Sequence, residues 1–136
     1  MKSRSESLIR LKKFQVDEKR RQVTQIEMMI ADFERMASEL DQQIEIEQQK
    51  TGISDVAHFA YSTFAKAAIS RRDNLLASAN DMRVQLEAAQ DALAEAVEDL
   101  KNVELLDQRE HIREAEEEAK AEQSEFDEIG RLRYRS

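Results

Sequence analysis

Cysteine and proline are absent from the 136 residues, and glycine occurs only as Gly52 and Gly130. Without cysteine there are no disulfide staples, thiolate metal ligands or thiol nucleophiles, and nothing points to an oxidising compartment. A chain with no proline and two isolated glycines has almost nothing to break a helix. Aromatic residues are scarce at 5%, and apolar residues make up 40% against 37% charged, with a mean hydropathy of -0.72, too polar for a thick globular core. The longest apolar runs are a handful of residues, far short of the ~20 that a membrane span needs. The opening Met1-Lys-Ser-Arg-Ser-Glu6 leads into charged sequence and not an apolar stretch, so the expected location is cytoplasmic, with no direct membrane insertion.

Good helix formers fill the remainder, and this composition suits either a coiled coil or a disordered tail. Periodicity decides between them. Alternating steps of three and four run through positions 9, 12, 16, 19, 23, 26, 30, 33, 37, 40, 44 and 47. Nine of the twelve are apolar, from Ile9 and Val16 to Leu40 and Ile44, and the exceptions are Lys12, Lys19 and Glu47. A spacing near 3.5 puts them on one narrow stripe, which a helix can bury only against another helix. The stripe returns at 75, 79, 82, 86, 89, 93, 96, 100 and 103, apolar throughout and rich in alanine, so the two helices can approach closely.

Between the stripes lies Gln48-Gln-Lys-Thr-Gly-Ile-Ser-Asp-Val56, where Gly52 marks a turn and Ser54 or Asp55 suits a helix N-cap. The expected fold is all-α. It is a two-helix antiparallel coiled-coil hairpin forming a single domain over 1–136, with helix one about 3–50, a turn about 51–54 and a longer helix two about 55–130. A turn centred near 53 sets residue i opposite roughly 106 minus i, and ~45 residues of helix one make a rod about 70 Å long. Helix two then has no partner from about residue 106. There the stripe fails, and a shifted frame through Leu105, Ile112, Ala115, Ala119, Phe126 and Ile129 leaves a thin apolar strip. A docking face and a solvated, fraying helix end explain that strip equally well.

Charge is unevenly spread around the formal net of -8. Residues 1–22 hold eight basic and three acidic side chains, whereas residues 104–129 hold eleven acidic and three basic. The overall sign argues against nucleic acid, and Asp17 and Glu18 interrupt the basic run, which better suits an acidic protein surface. Lys12 and Lys19 occupy stripe positions, where charge weakens a two-helix contact unless another chain shares the site or their long stems snorkel outward. Phe59, Tyr61 and Phe64 fall on the expected first turns of helix two. They either cap the seam or leave an aromatic exposed near the tip.

No catalytic constellation emerges. Two helices with one seam leave no pocket able to exclude water, there is no glycine-rich phosphate loop or nucleophile elbow, and His58 and His111 lie far apart. Glu110, His111 and Glu114 resemble part of a carboxylate-histidine set, but bundles that hold metal this way draw similar residues from four helices, so a solvated face is the favoured reading. The expectation is a non-enzyme with no metal and no cofactor.

Four features together resemble the FliJ family along essentially the whole chain. They are the hairpin, the opening Leu8-Ile-Arg-Leu-Lys-Lys-Phe-Gln-Val-Asp-Glu-Lys-Arg-Arg21, the segment Ala57-His-Phe-Ala-Tyr-Ser-Thr-Phe-Ala-Lys-Ala-Ala68 with its Tyr61-x-x-Phe64, and the ending Glu122-Gln-Ser-Glu-Phe-Asp-Glu-Ile129. The resemblance implies a stalk or general chaperone of the flagellar type III protein export apparatus. Such a stalk inserts into the export-ATPase hexamer, promotes ring assembly and links the ring to the export gate membrane protein, peripheral to the membrane. Export chaperones are further implied partners, and by analogy with rotary stalks the end bearing both termini enters the ring. Tyr61 and Phe64 carry over as candidate gate or chaperone contacts, with Phe59, Lys12, Lys19, Ile112 and Phe126 as further candidates from the residue patterns. The acidic tract at 114–118 departs from that pattern. A prefoldin-like or adaptor coiled coil without an ATPase is the competing reading, and a structural spacer a third.

Overall fold

A computed structural model describes residues 4–135. It contains two helices, α1 (Arg4–Thr51) and the longer α2 (Thr63–Arg135), paired as an antiparallel coiled-coil hairpin. The chain divides into two compact units, Asp17–Ala94 and Met1–Val16 with Glu95–Ser136.

In the unit Asp17–Ala94 the two stripes form the seam. Val23, Ile30, Ala37, Leu40 and Ile44 of α1 are buried, as are Ala65, Ala68 and Ala79 of α2, while Ile26, Phe33, Met82, Leu86, Ala89 and Leu93 are half-buried. The centre of the core is Leu40, Ile44 and Ala68, with Ile69 and Leu75 packed against it. Alanine on the α2 side explains this economy, because a methyl group can be wholly covered by a neighbouring helix that a larger side chain would hold away.

The connection is longer than a turn over 51–54. α1 ends where Gly52 adopts φ +73° and donates its N–H to the Gln48 carbonyl at 2.9 Å, an αL cap that only glycine enters at no steric cost. Thr51 Oγ1 also donates to the Glu47 and Gln48 carbonyls, at 3.2 and 3.4 Å. Asp55 does begin a turn. Its Oδ1 accepts from Ala57 N at 3.0 Å and its carbonyl accepts from His58 N at 3.0 Å, but that turn does not propagate. His58 takes over, accepting from Ala60 N through Nδ1 and from Tyr61 N through its carbonyl, each at 3.0 Å. These local bonds compete with the helical ladder. The helix start moves from about 55 to Thr63, and Ser62 is its N-cap: Ser62 Oγ accepts from Ala65 N at 3.2 Å, and its carbonyl accepts from Lys66 N at 3.0 Å.

The longer connection shifts the register. The 106-minus-i rule places residue 65 opposite Asp41 and residue 72 opposite Glu34. The structure instead pairs Arg72 with Asp41 and Arg83 with Glu34, seven and eleven residues further on. In the other unit Val16 is buried, Ile9, Lys12, Leu100, Val103 and Asp107 are half-buried, and Glu110 lines a shallow groove with Arg4, Leu8 and Leu11. Every residue from 108 to 135 is exposed. The unpartnered stretch of α2 therefore begins near residue 111 and not 106.

Candidate protein-binding surfaces

The connecting loop and first turn of α2 display aromatic side chains in two distinct ways. Tyr61 is buried, and its hydroxyl accepts a hydrogen bond from Gln48 Nε2 at 2.7 Å. Glu47, a polar exception in the α1 stripe, gains a purpose beside it, since Glu47 Oε1 accepts from Ser62 Oγ at 3.1 Å. These two bonds tie the last turn of α1 to the start of α2. Phe59 by contrast is 96% exposed, with the His58 ring stacked on it at a centroid distance of 4.8 Å, and Phe64 is 56% exposed. Of the three aromatics expected on the first turns of helix two, Phe59 and Tyr61 lie in the loop and only Phe64 in the helix. They divide into one anchor and two exposed faces.

Arg72, half-buried on the α2 stripe, links the helices. Its Nη1 donates to Asp41 Oδ1 at 2.8 Å and its Nη2 to Asp73 Oδ1 at 3.1 Å, and these bonds, Asp41 first, hold the guanidinium above its ordinary pKa. Arg83 bonds both Glu34 and Asn80.

The seam lysines are half-buried, Lys12 in the unit of the chain ends and Lys19 in the unit Asp17–Ala94, and neither makes an ion pair among the described residues. Towards the end of α2, Ile112 and Phe126 are 52% and 76% exposed. His111 sits between Asp107, whose Oδ2 lies 3.3 Å from Nε2, and Glu114, whose Oε2 lies 3.9 Å from Nδ1. Among the described residues no cluster of three or more His, Asp or Glu side chains could hold a metal ion, and no helix is long and apolar enough to cross a membrane. The clefts are open grooves, such as the one beside the seam lined by Met36, Gln43, Arg71 and Asn74. Surfaces of this kind suit contact with another protein better than enclosure of a small molecule.

A family model described as flagellar FliJ protein matches residues 1–136, the full chain. Neither the curated proteins nor the solved structures give a match. A two-helix hairpin closed along one apolar seam agrees with that assignment, and the chain belongs to the FliJ family, with the flagellar, export-related role the family implies.

Proposed function

We propose that this protein is the non-catalytic stalk of the flagellar type III export apparatus, promoting assembly of the export-ATPase ring and coupling it to the export gate. The observation that carries the reading is the full-length family match on a chain built almost entirely as one helical hairpin. Such a chain needs no catalytic group, because the ATPase supplies the chemistry and the stalk supplies a face that differs around its circumference. Lys12 and Lys19, half-buried and unpaired among the described residues, belong to the basic end assigned to the ring. Phe59 and Phe64 offer the apolar contact for the gate or for export chaperones, and the buried Tyr61 holds their loop in place.

The exposed Phe59 also favours a second reading, a client-holding or adaptor coiled coil that works without an ATPase. One assay separates the two. Purified protein is titrated into a flagellar export ATPase and hydrolysis is followed. The stalk reading expects a rate that rises with added protein and falls when Lys12 and Lys19 are replaced by glutamate. An unchanged rate, together with loss of chaperone binding in Phe59→Ser, favours the adaptor.

A further inference from the structure

The outer faces of the unit that contains both chain ends carry two features that the seam leaves unused. On α2, Leu105, Ile112, Ala119 and Phe126 recur at intervals of seven, with Ala115 between them and Ile129 three residues beyond. Leu105, Ile112, Phe126 and Ile129 are 50%, 52%, 76% and 53% exposed. That interval is the mark of a helix face shaped to meet another helix. On α1, Leu8, Leu11 and Phe14 are exposed beside the inward positions Ile9, Lys12 and Val16, so the opening of α1 bears a second apolar face.

The charges around the two faces are opposite. Residues 104–129 carry a net of -8 and residues 1–22 a net of +5. Among the described residues Glu116, Glu117, Glu118, Glu122 and Glu125 make no ion pair, nor do Arg10, Lys12 and Lys13. A molecule cannot join these faces internally. α2 runs unbroken to Arg135, and the start of α1 already lies beside Glu110, so the strip beyond residue 111 extends past its own basic segment.

We propose that a second copy of this chain covers the strip, seating the acidic end of each α2 on the basic opening of its partner's α1. Each copy gives one strip and receives one, so the contact is self-complementary and closes at two. Strip-to-strip pairing is disfavoured, because it would bring two strongly acidic segments together. The pairing holds without the stalk reading; where both apply, pairing and ring entry compete for the same end of the protein.

Sedimentation equilibrium of the full chain tests this. The wild type should reach twice its 15.8 kDa mass at about 0.05 M salt and dissociate at about 0.5 M, where charges are screened beyond a few ångströms. Two variants reverse exposed charges outside the seam: Arg10→Glu with Lys13→Glu, and Glu118→Lys with Glu125→Lys. Each alone should associate at least about tenfold more weakly than wild type. An equimolar mixture should recover the dimer, because one of its contacts is unsubstituted on both sides and in the other the introduced glutamates meet the introduced lysines, and that recovery separates a lost contact from a lost fold. A wild type that stays monomeric at low salt overturns the proposal. So does a dimer indifferent to either variant, or a mixture that fails to pair.

Discussion

Gln48 and Tyr61, thirteen residues apart, share a hydrogen bond of 2.7 Å from the amide Nε2 to the phenol oxygen, and this bond joins the end of α1 to the loop ahead of α2. Tyr61→Phe keeps the ring in its buried place but leaves the amide without its acceptor. We expect a loss of about 1 kcal/mol in urea unfolding. Tyr61→Ala, which also empties the ring's space, should cost about 3 kcal/mol or more.

The connection also sets apart two backbone effects of different origin. Gly52→Ala meets no atom within 4 Å, so any destabilisation comes from the positive φ alone, roughly 1–2 kcal/mol. Ser62→Ala removes the cap of α2 and the donor to Glu47, and should cost about 1 kcal/mol. Thermal unfolding followed by circular dichroism measures both.

Close approach of the helices rests on alanine. Ala79 is fully buried, and Ala79→Leu has no space to fill without parting α1 from α2, so we expect about 1–3 kcal/mol of destabilisation. Val84→Leu, at a 71% exposed position, should leave the midpoint nearly unchanged.

Arg72 tests the electrostatic part. Replacing it by methionine removes the pairs to Asp41 and Asp73 and should cost roughly 0.2–1 kcal/mol, because both carboxylates remain well exposed to water. The sign of its pH dependence follows from the direction of its shift. A raised guanidinium pKa contributes stability that is fully present below the unfolded value and is lost only as pH rises through the folded one. The Arg72→Met penalty should therefore be flat from about pH 6 to about pH 9, which paired urea titrations would show.

The hairpin was legible in the sequence because its signal is a repeat. All twelve stripe positions from Ile9 to Glu47 and all nine from Leu75 to Val103 are buried or half-buried. Asp55 satisfies the rule for an N-cap and so predicts a start to α2 ahead of Thr63, because that rule concerns one turn and says nothing of whether the next turn follows. The stripe itself held the answer. Carried back from Leu75 it passes through Arg72, Ala68, Ala65 and Tyr61, all buried or half-buried, and then meets the exposed His58 and Ser54. Arg72 obscured that continuation, since a charge on a seam reads as a break until its partners Asp41 and Asp73 are known. That stripe already separates Tyr61 from Phe59 and Phe64, but no spacing encodes the hydrogen bonds that fix the loop, from Gln48 Nε2 to the Tyr61 hydroxyl and from Ala60 N to His58 Nδ1.

The absence of native cysteine makes the seam open to direct measurement by paired spin labels. In the observed register Glu34 faces Arg83, whereas a short turn at 51–54 would set it against residue 72. Labels at 34 and 83 in dilute protein should give the shorter distance, and labels at 34 and 72 a longer one, since the offset moves the second label about 16 Å along α2. The reverse order, or a close distance seen only when labelled chains are concentrated together, would contradict the hairpin described above.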